Sequence, residues 1–178
     1  MYSIEANYYL CYNLDMKRID SKISAAFAKG LAVFSGKSTF ENIRRGKFAM
    51  VSSVIDDGTV YYIDQWFPGH MGGGQEILEV DGAQYTRVYA GGTVDDGILM
   101  GLGISKNDVM GCLKNSLLEA AGKTRFDAPY ARQDGDWSYQ YTPAEVEPTT
   151  GMMTGKEVIT YKGTPVFVHF FIISPVIE

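Results

Sequence analysis

The chain has few of the residues that form disulfides, structural metal sites or nucleic-acid contacts. Its two cysteines, Cys11 and Cys112, lie far apart without a CxxC pair, so a structural zinc site is not expected. The densest basic group, Arg44, Arg45 and Lys47, is short in a chain of net charge −5. A group of this size argues against nucleic-acid binding through phosphate contacts. We therefore expect no metal, no cofactor and no nucleic-acid partner.

Long hydrophobic runs are missing as well. No segment reaches the ~18 consecutive apolar residues of a membrane span, and residues 1–14 lack the basic start and the cleavage site of a secretory signal. With so little cysteine, these features predict a cytoplasmic protein with no membrane partner. The composition, 46% hydrophobic, is that of a globular protein, and residues 1–178 fit a single compact domain.

The residues that are abundant favour strands and tight turns. Tyr and Phe, 12 and 9 residues, prefer strands, and 20 glycines indicate many turns. Three predicted hairpins each consist of two strand-like runs around a dipeptide that ends in glycine. Their strands are residues 47–55 with 59–67, 75–80 with 83–89, and 156–161 with 164–173. Residues 166–173 are apolar on both faces, which predicts a central strand.

Two helices are predicted. The first begins at Asp20 or Ser21 and ends at Gly30. The second begins at Ser105, where Asp108 completes a capping-box pattern, and it continues with apolar residues at helical spacing to residue 121.

Segments 74–82 and 155–163 share a Gly-x-Glu start, two apolar residues and a turn glycine. Similar helix ends precede both segments. We therefore predict an α+β fold of two pseudo-repeated units, residues 21–94 and 105–178, related by a pseudo-twofold axis. In each unit a helix packs on an antiparallel sheet of hairpins. The alternative is a chance similarity between two hairpins.

Each half also resembles DUF5680, a bacterial family of uncharacterised function. The matching residues in the first half are Tyr62-Ile63-Asp64, Phe67, Gly69 and segment 74–78; in the second half they are segment 118–124, Tyr139 and segment 155–161. The second half departs from the pattern at Tyr139-Gln140-Tyr141, where the aspartate is missing. The resemblance implies no particular activity.

Two carboxylates are candidate site residues because of their strand positions. Alternation places Glu76 and Glu157 on the inward-facing rows of their strands. A buried carboxylate must be paired or hydrogen-bonded. One interpretation is a ligand-binding or acid–base group, and the other is a carboxylate that holds backbone N–H groups of the preceding loop.

Aromatic rows accompany these carboxylates. Tyr62, Asp64 and Trp66 share one strand face, and Trp137 and Tyr139 form a similar row in the second half. Such rows are typical of a polar-tipped aromatic pocket, here predicted between the two halves. They are equally typical of a sheet face beneath a helix.

The glycine-rich segment 69–74 is predicted to be a loop. It lacks the Gly-Lys-Ser/Thr ending of a phosphate-binding P-loop, and no helix pattern follows it. His70 lies in this segment and is a further candidate ligand-binding residue. His169, in an apolar strand, fits a core histidine better.

Three functions compete at this level. The first is a module that binds or senses a small molecule with Tyr62, Asp64, Trp66 and the two glutamates. The acidic balance and the aromatic content fit a cationic molecule. The second is a protein-interaction module or a homodimer, whose aromatic surface packs on a partner. The third is an enzyme that uses Glu76 with His70. A deep pocket favours the first, a flat exposed apolar patch the second, and a Glu–His pair in a cleft the third.

Overall fold

A computed structural model describes residues 40–80, 82–120, 129–144 and 146–176 of the protein. Within these ranges nine strands and two helices follow one another along the chain. Their bounds are β1 (Phe40–Arg45), β2 (Phe48–Asp56), β3 (Val60–Trp66), β4 (Met71–Val80), β5 (Ala83–Thr93), α1 (Asp96–Gly101), α2 (Lys106–Glu119), β6 (Tyr130–Asp134), β7 (Trp137–Pro143), β8 (Met153–Tyr161) and β9 (Thr164–Val176).

All nine strands belong to one antiparallel sheet in the order β1-β2-β3-β4-β5-β9-β8-β7-β6. Each strand from β1 to β5 pairs with the next along the chain, as does each strand from β6 to β9. The pairing of β5 with β9, from Gln84↔Val176 to Thr93↔Phe167, joins these two series at the centre. Side chains from both series therefore meet on β5 and β9.

The three predicted hairpins are confirmed as β2–β3, β4–β5 and β8–β9. Gly58, Gly82 and Gly163 have φ of 80°, 75° and 79°, which a residue with a side chain rarely adopts. The predicted central strand, residues 166–173, lies within β9. The second predicted helix is α2, where Ser105 and Asp108 form a complete capping box.

The prediction of two α+β units, each with its own helix on its own sheet, is wrong. The described residues form one continuous sheet, because the β5–β9 hydrogen bonds merge the strands of both halves. Both helices of the described residues follow one another along the chain between β5 and β6, so neither half has a helix of its own as predicted. The first predicted helix, starting at Asp20 or Ser21, lies outside the described residues.

Residues 95–104, which lie between the two predicted units, contain α1, whose N-cap is Asp95. One smaller expectation fails. Segment 69–74, expected as a loop, contains the first residues of β4, which begins at Met71. Glycines can pair in a strand through their backbone groups alone. Here Gly72 of β4 pairs with Gly91 of β5.

The inner face of the sheet carries the core, and α2 packs against it. Val109, Leu113 and Leu117 of α2 are buried together with side chains of β7, β8 and β9. A second apolar cluster, around Tyr62 and Leu78, occupies the inner face of β3 and β4. Neither α1 nor α2, the helices of the described ranges, is long and apolar enough to cross a membrane.

Candidate functional site

Three charged side chains meet at the middle of the inner face, and we call them the central charge cluster: Glu76 on β4, Arg87 on β5 and Glu157 on β8. Arg87 donates from Nη1 to Glu76 Oε2 and from Nη2 to Glu157 Oε2, each over 3.2 Å. All three side chains are at most 2% exposed. A single guanidinium thus links the two halves of the sheet across β9.

Two buried tyrosines bind the other oxygens of the two glutamates. Tyr62 donates its phenol hydrogen to Glu76 Oε1 over 3.0 Å, and Tyr139 donates to Glu157 Oε1 over 2.8 Å. Both contacts run diagonally between neighbouring strands, because Tyr62 pairs with Leu78 and Tyr139 with Ile159. The prediction that buried glutamates require partners is confirmed, and their partners include these side chains.

The glycine of each Gly-x-Glu segment makes room for an aromatic ring on the neighbouring strand. A Cβ on Gly74 would lie 2.6 Å from the phenol oxygen of Tyr89, and a Cβ on Gly155 would collide with the ring of Phe171. These two rings flank the Arg87 guanidinium, whose carbon lies 5.1 Å and 4.6 Å from their centroids. Cation–π contacts of this kind stabilise a desolvated guanidinium.

Asp64, Tyr89 and His169 lie beside the central charge cluster. The Tyr89 phenol donates to Asp64 Oδ1 over 3.0 Å. Burial, with the negative charges of Asp64 and Glu76, raises the pKa of the Tyr89 phenol well above its ordinary value, against the opposing effect of Arg87. Nδ1 of His169 lies 3.5 Å from Glu157 Oε2.

A cavity of about 290 Å³ opens between this group and helix α2. Its walls combine aromatic and aliphatic side chains with polar groups that converge from several strands. Bare backbone forms part of one wall, where Gly72 pairs with Gly91 and Met71 with Gly92. Glycine within a strand often marks a site where a ligand or another backbone approaches closely. The residues that line the cavity include Phe40, Asp64, Trp66, Phe67, His70, Tyr89, Lys106, Met110, Leu113, Phe167 and His169.

The segment that joins β3 to β4 forms the rim of the cavity, and contacts with α2 and with the end of β5 hold it in place. Lys106 of α2 donates from Nζ to the carbonyl oxygens of Pro68 and Gly69, over 3.0 and 2.8 Å. His70 Nδ1 lies 2.9 Å from the carbonyl oxygen of Val94, an acceptor to which Nδ1 can donate when it carries hydrogen. Its Nε2 lies 3.3 Å from Asp96.

The structure separates the predicted site residues into three places. Asp64, Trp66 and His70 line the cavity. Tyr62, Glu76, Tyr139 and Glu157 belong to the buried network beside it. Trp137 packs on Tyr161, with ring centroids 4.7 Å apart, in a separate polar groove between α2 and β7.

The cavity does not lie where the sequence analysis expected a pocket. It lies between the sheet and α2, and not between two facing halves. The residue pair proposed for an enzyme, Glu76 and His70, is also divided between the network and the rim. The glutamate and histidine that do approach each other are Glu157 and His169.

Sequence reasoning missed Arg87 of the central charge cluster, as well as Tyr89 and Lys106 at the cavity. Alternation places Arg87 on the same face as Tyr85 and Tyr89, in a strand that we had already predicted. An arginine in an inward-facing row is a signal of a buried ion pair. Its second partner, Glu157, lies 70 residues away in the sequence, and the contact with it depends on the β5–β9 pairing.

Within the described ranges, no three His, Cys, Asp or Glu side chains are grouped closely enough to hold a metal ion. Comparisons of the chain with protein-family models, with curated proteins and with solved structures give no match. The resemblance to DUF5680 stays a prediction. Proposals about function must therefore start from the cavity and from the groups that surround it.

Proposed function

We propose that the protein binds a small organic molecule in the cavity between the sheet and α2. The observation that carries this proposal is a partly open cavity whose wall includes buried polar groups. Asp64 is 2% exposed, whereas Phe40 and Phe67, which line the same cavity, are 51% and 40% exposed. Asp64 thus lies in a buried part of the cavity wall, and Phe40 and Phe67 lie at its exposed edge.

This arrangement is typical of small-molecule sites, which are largely apolar with a few placed polar groups. Trp66, Phe167 and Leu113 offer surfaces for an apolar body. Asp64, Tyr89 and His169 are held by contacts within the sheet, so a ligand would meet them already oriented. Such preorganisation reduces the ordering cost of binding.

The test is a thermal-shift screen of the whole chain against a metabolite library, with two tryptophan variants. Met110→Trp places a larger side chain in the cavity wall, and Met100→Trp makes the same exchange at an exposed site on α1. A ligand at 100 times its Kd stabilises the fold by about 2.7 kcal/mol. We expect hits that persist in Met100→Trp and disappear in Met110→Trp. An absence of hits, or hits unaffected by Met110→Trp, would contradict the proposal.

A second candidate function is association with a partner or with another copy through the outer face of the sheet. Val88, Phe170 and Ile172 are 50%, 61% and 45% exposed there, and β5–β9 pairing sets Val88 opposite Ile172. Contiguous apolar surface of this kind is frequent at interaction sites. Sedimentation of the wild type and of Phe170→Lys tests for self-association. A wild-type dimer that Phe170→Lys dissociates would support self-association through this face. A wild-type monomer would exclude self-association.

A further inference from the structure

The polar groove beside Trp137 is a second candidate site, separate from the cavity. Its volume is about 470 Å³. Helix α2 forms one side of the groove, and residues of β6, β7 and β8 form the other. Among the described residues, none lines both the groove and the cavity. A ligand in the groove therefore meets a different set of side chains from a ligand in the cavity.

Gly111 lies on the helical side of the groove, near the middle of α2. Glycine is less favourable than alanine in a helix interior. Packing does not require a glycine here, because no atom of the described residues lies within 4 Å of the place where a Cβ would stand. A side chain at this position would instead occupy space in the groove. Gly111 therefore keeps the groove open at a cost to the helix.

Two asparagines stand on either side of Gly111 along the helix. Asn107 and Asn115 are each four residues from Gly111, so the three positions share one helix face. The helical rise places the asparagines about 12 Å apart along the axis. Each amide has N–H donors and an acceptor oxygen, and no hydrogen bond within the described ranges uses either side chain. The helix thus offers polar groups at both ends of the open stretch.

Two aromatic rings line the strand side of the groove. Trp137 and Tyr161 are paired across β7 and β8, with ring centroids 4.7 Å apart and ring planes tilted by 46°. Both residues are half-buried. The face of an aromatic ring carries partial negative charge, so it attracts the slightly positive C–H groups of a ligand. The indole N–H of Trp137 enters no hydrogen bond in the described part of the chain, so this side also offers a donor.

Every charged side chain that lines the groove, among the described residues, already has a partner in the protein. Arg132 donates from Nε to Glu119 over 2.7 Å and from Nη2 to Asp134 over 2.8 Å. Asp108 accepts from the backbone N–H and the hydroxyl of Ser105 at the start of α2. A charged ligand would compete with these contacts, whereas a neutral ligand would leave them intact. The groove therefore suits a neutral ligand best.

We propose that the groove binds a neutral saccharide, with a sugar ring on Trp137 and hydroxyl groups at Asn107 and Asn115. A pyranose has C–H groups on its ring face and hydroxyls around its edge, and each hydroxyl both donates and accepts, as the amides do. A peptide matches less well, because its side chains need apolar pockets or ionic partners, and the groove is mainly polar with its charges paired. This inference goes beyond the proposed function, because it concerns a different site and a different class of ligand.

The experiment starts with an array of immobilised neutral oligosaccharides, built from glucose, galactose, mannose, xylose and N-acetylglucosamine, which is probed with the whole chain. Titration calorimetry then measures the Kd of the strongest binder as a free sugar. Adenosine and uridine serve as neutral probes that carry an aromatic base as well as hydroxyls. We expect at least one saccharide to bind, and to bind tenfold or more tighter than either nucleoside.

Gly111→Leu places a side chain in the groove and should weaken saccharide binding tenfold or more. Gly101→Leu is the matched control, because Gly101 is also a helical glycine without described atoms within 4 Å of its Cβ position, and it does not line the groove. Trp137→Phe removes the indole N–H and part of the ring face, so it should weaken binding as well. Met110→Trp, in the cavity wall, should leave saccharide binding unchanged.

Gly111→Ala gives a second measurement that moves stability and binding in opposite directions. We expect its urea midpoint to rise, because alanine favours the helix and the added Cβ meets no described atom. We expect its saccharide affinity to fall, because the Cβ narrows the groove. A purely structural role of Gly111 would instead lower the midpoint.

Several outcomes would overturn the inference. If no saccharide of the array binds, or if a nucleoside binds as tightly as the best saccharide, the ligand class is wrong. If Gly111→Leu binds as the wild type does, or no more weakly than Gly101→Leu, the groove is not the site. Loss of binding in Met110→Trp would place the saccharide in the cavity instead. A lower urea midpoint of Gly111→Ala would show that packing requires the glycine, which removes the basis of the inference.

Discussion

Replacing Arg87 by methionine tests the role of the central charge cluster most directly. Met is about as long as the arginine stem, but it leaves Glu76 and Glu157 without the guanidinium that both contact at 3.2 Å. At an effective dielectric constant of about 20, two charges at this separation attract by roughly 5 kcal/mol. Desolvation offsets much of this attraction, and breaking a buried pair typically costs about 3–5 kcal/mol.

Since two buried pairs share Arg87, we expect Arg87→Met to lower the free energy of unfolding by about 4 kcal/mol or more. That is a large part of the ~5–15 kcal/mol that stabilises most domains. Urea denaturation followed by tryptophan fluorescence measures the change. Arg132→Met is the matched control, because Arg132 pairs with Glu119 and Asp134, whose side chains are 59% and 64% exposed. We expect the control to change the free energy by less than about 1 kcal/mol.

A triple variant distinguishes charge from packing. Combining Arg87→Met with Glu76→Gln and Glu157→Gln removes the buried charges together, so it should be more stable than Arg87→Met alone. The same comparison serves if Arg87→Met does not fold, since the triple variant should then recover a folded state. The reasoning is refuted if Arg87→Met costs no more than Arg132→Met, or if the glutamine exchanges bring no recovery.

Three further predictions concern single contacts. Gly74→Ala should destabilise the protein by about 1–3 kcal/mol in urea denaturation, because its Cβ would collide with the backbone carbonyl oxygen of Gln65 and lie 2.6 Å from the Tyr89 oxygen; an unchanged midpoint would contradict the close approach. The raised pKa of Tyr89 stabilises the fold below the ordinary value of 10.0, and this contribution is lost as pH rises toward the folded value. Tyr89→Phe should therefore make the alkaline loss of stability shallower, by up to about 1.4 kcal/mol per pH unit, and equal slopes would refute this. Hydrogen bonds from Ser105 lower the pKa of Asp108, so their contribution is present above the ordinary value of 3.8 and lost as pH falls through the lower folded value. Ser105→Ala should lower the melting temperature at pH 7 more than at pH 3, as calorimetry can show.

Local sequence signals gave correct predictions wherever neighbouring residues decide the structure. The turn glycines Gly58 and Gly163 favour tight hairpins because glycine adopts positive φ without strain. The capping box of Ser105 and Asp108 starts α2 because both partners lie within one turn. Alternation likewise placed Glu76 and Glu157 on the inner face, since side chains in a strand alternate between its two sides.

The error about the two units has a physical cause. Two hairpin sets with similar turns can each fold on their own helix, or they can join edge to edge into one sheet. Both arrangements satisfy the same alternation and the same turn chemistry. The choice depends on backbone hydrogen bonds between β5 and β9, which carry no residue-specific signal in a single sequence.

The sequence by itself determined the strands of the three hairpins, the glycines that turn them, and which acids face inward, because these properties depend on residues close together in the chain. Only the tertiary structure decided that Arg87 joins Glu76 to Glu157, and that Asp64, His70 and His169 surround one cavity under α2. The contacts between β5 and β8 span a separation of 70 residues. They arise when the whole sheet assembles, so no local pattern could have specified them.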